Sequence, residues 1–258
     1  MTRRLPGLPD IAMVLAAGLG TRLKPITKSV PKPLVQVAGR TLIDRVLDRL
    51  VAADVRTAIV NVHYKAEMLK AHLDRRATPD IRYSDETDRL LDTGGGVTRA
   101  LPLLANGPLL EQRPFLVVNS DVMWRDAFVE SLAVLGRRWH DDTMDALLLL
   151  QPTITADGYR GAGDFTMEPD GALLRRNELR VAPFVFAGVQ ILHPRLFTDV
   201  PDGPFSLNLL YDRAQEAGRL YGVRHEGDWL HVGTLEGFRL AERTLIEDWM
   251  QPGAETAA

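Results

Sequence analysis

No cysteine occurs anywhere in the 258 residues. That absence removes disulfides, thiolate zinc sites and cysteine nucleophiles, and it agrees with a reducing, cytoplasmic setting. Long apolar runs are missing too: no segment reaches the roughly 20 residues needed to span a bilayer, so no membrane partner is expected. Arg3 and Arg4 ahead of an apolar stretch at 11–17 imitate a secretion signal, but Pro6, Pro9 and Asp10 interrupt the approach and the stretch is short for one. Lys and Arg nowhere concentrate beyond pairs such as Arg75-Arg76 and Arg137-Arg138, and the formal net charge is -3. No nucleic-acid surface is therefore expected, and any anionic substrate must be met by local groups. Internal repeats, low-complexity tracts and a G-x-S-x-G element for a serine nucleophile are also absent.

What is present is an ordinary mix of 45% hydrophobic and 25% charged residues, with length enough to bury a sizeable core. Apolar runs bounded by Gly, Pro and Asp alternate with segments of helical period. Strands are expected at 11–17, 57–62, 81–84, 115–119 and 146–150, and helices at 41–53, 65–75, 95–104 and 126–139. In 41–53, Leu42, Ile43, Val46, Leu47, Leu50 and Val51 share one face, with Thr41 and Asp44 as an N-terminal cap. This order predicts an α/β, Rossmann-like fold: a mostly parallel mixed sheet flanked by helices, with ligands at the strand C-terminal ends. From 151 to about 193, glycines separate short β runs that end in a strand at 183–192. Helices at 206–217 and 234–249 then flank strands at 220–224 and 228–232. We expect one domain over 1–250, with halves at about 11–150 and 151–250 and a flexible tail at 251–258.

Directly after the first strand comes Leu15-Ala16-Ala17-Gly18-Leu19-Gly20-Thr21-Arg22-Leu23-Lys24-Pro25. Small residues let a turn fold closely around an anion, whose charge is met by backbone N–H groups and a forked guanidinium. A lone G-x-G equally describes a plain tight turn. The dinucleotide fingerprint fails because Leu23 occupies its third glycine position, and the P-loop fails because no Gly-Lys-Ser/Thr follows. About ten residues on, Val30-Pro31-Lys32-Pro33-Leu34 holds a lysine between two prolines that stiffen the backbone. Alone such a lysine is a solvated charge; beside an anion-binding turn it is a candidate phosphate clamp.

Together these segments, G-x-G-T-R-x-x-P and P-K-P, resemble the sugar-1-phosphate nucleotidyltransferase (sugar nucleotide pyrophosphorylase) family, from about residue 11 to 242. The resemblance implies an enzyme that joins a sugar 1-phosphate to a nucleoside triphosphate, with 11–150 as the nucleotide half and 151–250 as the sugar half. It implies that Ala16, Ala17, Gly18, Gly20 and Thr21 cradle the nucleotide, that Arg22 holds the triphosphate, and that Lys32 contacts phosphate at the reacting centre. Thr93, Gly94 and Gly95, in a Leu91-Asp92-Thr93-Gly94-Gly95-Gly96 segment, are expected against base and ribose, with Glu86 a partial match to an upstream family position. Three glycines at a helix start point to close approach by something, although loop flexibility is the plainer explanation.

Val117-Val118-Asn119-Ser120-Asp121 sets a carboxylate just beyond a buried strand. By itself such an Asp caps a turn as readily as it binds metal. The resemblance implies Mg2+, with Mn2+ as a substitute, bridging Asp121 to phosphate oxygens, and adds Asn119 to the nucleotide contacts. A second metal carboxylate in the family falls within Trp229-Leu230-His231-Val232-Gly233-Thr234, where this chain has His231. Histidine suits Mg2+ less well than carboxylate, so His231 reads either as a metal ligand or as a structural residue.

Gly161-Ala162-Gly163-Asp164-Phe165 and Phe184-Val185-Phe186-Ala187-Gly188 resemble acceptor segments of the bacterial N-acetylmuramate 1-phosphate uridylyltransferases. That implies UTP and N-acetylmuramate α-1-phosphate as substrates, in peptidoglycan recycling, with Asp164, Phe186 and Gly188 on the sugar. Mannose, heptose or glucose 1-phosphate with GTP or dTTP is the alternative within the class. Because a sugar phosphate is already anionic, no strong base is needed; positioning and charge stabilisation by Arg22, Lys32 and Asp121 would carry catalysis. A glycosyltransferase would show Asp-x-Asp where this chain has Asn119-Ser120-Asp121. A non-catalytic nucleotide-sugar sensor is the remaining rival, motivated by His231. The pattern is silent on oligomeric state.

Overall fold

The computed structural model describes residues 5–104 and 113–250; the tail expected at 251–258 lies outside them. Strand β1 (Ile11–Leu15) carries no polar side chain and is buried on both faces, Ala12 and Val14 in one core and Met13 in the other. A hairpin of β2 (Gln36–Val37) and β3 (Arg40–Thr41) leads into α1 (Leu42–Ala52). Thr41 caps α1 as expected: its hydroxyl oxygen accepts the Asp44 N–H at 3.2 Å. Then follow β4 (Thr57–Val62), α2 (Ala66–Leu73), β5 (Asp80–Asp85), α3 (Asp92–Leu104) and β6 (Phe115–Asn119). β1 pairs in parallel with β4 and β6, and β4 with β5. Leu15 thereby faces Asn119 across the ladder, so the C-terminal ends of β1 and β6 lie side by side.

The second half runs β7 (Val122–Arg125), α4 (Ser131–Arg138), β8 (Ala146–Pro152), β9 (Ala156–Asp157), β10 (Phe165–Met167), β11 (Leu173–Arg175) and β12 (Phe184–Leu192). It ends with α5 (Asn208–Glu216), β13 (Leu220–Arg224), β14 (Asp228–His231) and α6 (Leu235–Met250). β12 runs antiparallel to β6, β8 and β10, and β13 adds in parallel to β8. The sheet is therefore mixed, wholly parallel through its first half, in the order β11-β10-β12-β6-β1-β4-β5 with β8 and β13 beside β12. α1, α2 and α4 cover one face with Leu47, Leu69 and Leu135; α3 and α5 cover the other with Val97 and Leu210. A separate small sheet, β7-β14-β9, packs against α6 through Met123, Leu230 and Ala241.

Several boundaries depart from expectation, and three of them bear on the site. β1 stops at Leu15 because the Ala16 N–H turns to the Asn61 side chain. The helix expected at 126–139 starts only at Ser131, where the Asp126 carboxylate accepts the Ser131 N–H at 3.0 Å, and residues 122–125 form β7 instead. α3 begins at Asp92, three residues early, so its glycines lie within the first turn. Among the described residues no helix is long and apolar enough to cross a membrane.

Candidate active site

A cleft of about 500 Å³ opens at the ends of β1 and β6. One wall is the turn at Ala16, Ala17 and Gly18; Lys32 and Pro33 close one side; Asn119, Ser120 and Asp121 form the floor; Leu90, Asp92 and Thr93 make the opposite wall. The parallel ladder extends past β6 into this floor, the Ser120 N–H donating to the Leu15 carbonyl at 3.1 Å.

Two glycines in the turn serve different ends. Gly20 has φ +62°, and a Cβ there would lie 2.9 Å from Thr27 Cγ2 and 3.0 Å from Lys32 Cβ. Only glycine lets the turn fold against the lysine loop. At Gly18 a Cβ would meet nothing within 4 Å, so glycine there keeps the cleft open. Thr21 and Arg22 lie in a short 3-10 turn, exposed and outside the cleft lining. Arg22 makes no ion pair or hydrogen bond among the described residues, while its charge acts on His231. Lys32, set by the stiff Pro31-Lys32-Pro33 turn, reaches across the cleft to form an ion pair with Asp121 Oδ2. The pair is largely screened from solvent, with side-chain exposures of 12% and 29%.

The three glycines of α3 meet protein at close range. Gly94 and Gly95 both donate their N–H groups to the Phe205 carbonyl. A Cβ would lie 2.4 Å from the Phe205 ring at Gly94 and 2.4 Å from the Gly203 carbonyl at Gly95. Gly94 and Gly95 are thus buried beside the cleft and are not among the residues that line it, whereas Thr93 is. Glu86 is fully buried and likewise outside the lining. Asn61 and Ser120, both lining, were missed. Asn61 had a readable signal, a polar residue inside the otherwise apolar run of β4.

His231 ends β14 opposite Val122, the residue after Asp121. Its ring lies edge-on to Tyr159 at 6.2 Å and tilted on Trp229 at 5.7 Å. Burial lowers its pKa, Lys32 and Arg22 add to that, and Asp121 opposes them; the neutral imidazole that results is the form able to ligate a metal. Among the described residues no group of three or more His, Asp or Glu side chains converges to hold a metal. One carboxylate with an imidazole nearby fits a hard cation that takes its remaining ligands from substrate phosphates and water, and does not fit an all-protein cage.

In the C-terminal half, where the sugar contacts are expected, a smaller cavity of about 150 Å³ is lined by Asp164, Phe186, Arg175, Arg176 and Tyr211 among others. Asp164 Oδ2 accepts the Phe186 N–H at 2.9 Å, and Phe186 lies edge-on to Tyr211 at 6.2 Å. Burial pushes the Tyr211 hydroxyl well above the usual tyrosine range, so it remains a donor, to Gln190 Oε1 at 2.8 Å. Gly188 has φ +83°, and a Cβ there would lie 2.3 Å from Val122 Cγ1 and 3.1 Å from Asn119 Nδ2. Gly188 therefore lets β12 pass close to the cleft floor, while Asp164 and Phe186 sit at the second cavity.

A mixed sheet whose parallel strand ends carry a glycine turn, a constrained lysine and a carboxylate has the layout of a nucleotide-handling α/β enzyme. The chain belongs to the nucleotidyl transferase family, whose sequence model matches residues 11–159. It is 44% identical over 243 residues to the N-acetylmuramate alpha-1-phosphate uridylyltransferase of Caulobacter vibrioides, covering 93% of this chain and 98% of that protein. It is 32% identical to the protein of the same name from Neisseria meningitidis serogroup B, over 87% of this chain and 93% of that one. Its fold matches the solved structure of a UDP-glucose pyrophosphorylase complexed with UDP-glucose, with TM-score 0.74 at 14% identity, covering 93% of this chain and 100% of the other.

Proposed function

We propose that this chain transfers the uridylyl group of UTP to N-acetylmuramate α-1-phosphate, releasing pyrophosphate, as a cytoplasmic step of peptidoglycan recycling. The observation that carries the reading is the Lys32–Asp121 pair set across a cleft walled by the glycine turn; the 44% identity to the Caulobacter enzyme over nearly both full lengths supports the choice of substrates. A sugar-phosphate oxygen attacks the α-phosphorus in line, forming a P–O bond as the bond from the α-phosphorus to the bridging oxygen breaks. Both nucleophile and leaving group are anionic, so no proton need move.

Ala16, Ala17 and Gly18 lie where backbone and small side chains can follow the triphosphate, and Arg22, unpaired among the described residues, can swing onto it. Thr93 and Asn119 face the nucleoside, and Gly20, Thr21, Gly94 and Gly95 act by shaping the walls. Lys32 exchanges Asp121 for phosphate when substrate enters, which frees the carboxylate. Mg2+, or Mn2+, bound by Asp121 with His231 beside it, would offset charge between the two polyanions. Asp164, Phe186 and Gly188 shape the acceptor side.

The test is pyrophosphate release with UTP, GTP, dTTP and CTP against the 1-phosphates of N-acetylmuramate, mannose, glucose, N-acetylglucosamine and heptose. Activity confined to UTP with N-acetylmuramate α-1-phosphate is expected. Turnover confined to another pair would replace the substrate assignment, and silence throughout would return the chain to the sensor reading.

A further inference from the structure

We propose that the buried Asn61–Glu86 pair is a positioning device that sets the spacing of the two nucleotide-facing walls, and so governs UTP affinity and not acceptor affinity. It rests on the reading of the cleft as the UTP site. The Ala16 N–H donates to Asn61 Oδ1 at 2.6 Å, Asn61 Nδ2 donates to Glu86 Oε1 at 2.7 Å, and the Leu91 N–H donates to Glu86 Oε2 at 3.1 Å. Ala16 opens the glycine turn on one wall; Leu91 directly precedes Asp92 and Thr93 on the other. Two side chains therefore bridge the cleft walls, Asn61 at the cleft surface and Glu86 behind it. Asn61 is 3% exposed and Glu86 fully buried, and Ala16 and Leu91 are themselves buried, so breaking the pair leaves both N–H groups poorly placed to find a replacement acceptor.

The direction of the hydrogen bonds dictates the residue type. Backbone donors enter at both ends of the bridge, and the amide between them passes one bond on. Such a chain closes only on a group with two acceptor oxygens, which a carboxylate supplies and a carboxamide does not. α3 seats directly on the same pair: a Cβ at Gly96 would lie 2.8 Å from Glu86 Oε1 and 3.0 Å from Asn61 Nδ2. His63 Nδ1, 2.6 Å from the Glu86 carbonyl, fixes the backbone on the far side. Glu86 thus touches the turn's partner, the loop and the helix, without facing the cleft.

Two variants disturb the bridge from opposite sides. Glu86→Gln keeps the volume but sets an NH2 group against one of the two donors, and Gly96→Ala presses a methyl group onto the pair. Each is assayed well below its melting midpoint for kcat and both KM values, and by calorimetry for UTP binding without acceptor. We expect roughly a tenfold rise in KM and Kd for UTP, the acceptor KM within about twofold of wild type, and a combined variant about as impaired as the worse single one. Unchanged UTP affinity, equal rises in both KM values, additive effects, or failure of either variant to fold would overturn the proposal. A wild-type chain that binds UTP but turns over no sugar phosphate would instead sink the proposed reaction, and the bridge would still be decided by the UTP binding arm.

Discussion

The two halves of the main sheet hold their polar groups in opposite states. In the N-terminal half the charged groups of the glycine turn, the lysine loop and the end of β6 are uncommitted or paired only with each other: Arg22 is unpaired among the described residues, and Lys32 and Asp121 pair across the cleft. In the C-terminal half they are already bound into the fold. Asp164 accepts the Phe186 N–H, Arg175 pairs with Asp212, and Arg176 donates to the carbonyls of Gly163, Asn177, Glu178 and Arg180. On the proposed function, a phosphate chain would exchange partners on the first side with little rearrangement, whereas the second side would recognise its ligand by a shape that those bonds maintain. Loss of a group should remove charge stabilisation in the first half and distort a cavity in the second.

The sharpest way to break that contrast is Asp121→Ala. It removes the carboxylate that Lys32 meets and that would hold the cation, and turnover should fall about a thousandfold, roughly 4 kcal/mol, with the fold intact by circular dichroism. Near-native turnover would remove Asp121 from the chemistry. A second variant separates stability from positioning within the nucleotide half. Asp44 on α1 joins His72 and Arg76 of the α2 region at 2.8 and 2.7 Å. Burial alone would raise its pKa, but the Thr41 hydroxyl, His72 and Arg76 outweigh it and hold the carboxyl below its usual range. A depressed folded pKa contributes stability above the unfolded carboxylate pKa, and loses it as pH falls through the folded value. Asp44→Asn should thus cost about 1.5 kcal/mol near pH 7, a gap that closes below about pH 4 in urea titrations. Both KM values should stay unchanged; a shifted UTP KM would mean that α1 and α2 also set the cleft.

The same contrast explains what could be read from the sequence. β4 and β6 were legible to the residue because buried parallel strands are continuous apolar runs between turn signals. Gly18, Lys32 and Asp121 were legible because glycine, proline-locked lysine and a strand-end carboxylate each have a local reason to be there. β7 was not: Val122-Met123-Trp124-Arg125 is a strand only because β14 pairs with it from a hundred residues away. Three glycines at the start of α3 report that something approaches their backbone; only the fold shows that Phe205 and Gly203 are among the approaching groups. Asp164 reads as a free polar group until the antiparallel return of β12 brings the Phe186 N–H onto it.

Asp164→Asn tests the acceptor side of the comparison. The carboxamide can still accept from Phe186 but loses its charge among Arg175, Arg176 and Tyr159, so the cavity should loosen without collapsing. A rise of about fivefold in the acceptor KM, near 1 kcal/mol, is expected with the UTP KM unchanged, the mirror image of Glu86→Gln. If the UTP KM moved instead, the two halves would not be separable by ligand.

The smallest effect belongs to the junction. His231 sits on β14 beside Val122, where a carboxylate would be the better ligand for a hard cation. His231→Asp should lower the magnesium concentration giving half-maximal turnover by about threefold, near 0.7 kcal/mol. It should also narrow the advantage of manganese, because the imidazole that favours manganese has gone. Loss of the ring contacts with Tyr159 and Trp229 should appear separately, as a lower melting temperature. A variant that melts earlier yet has the same magnesium requirement would place His231 with the packing of the small sheet and leave Asp121 as the protein's one contribution to the cation among the described residues.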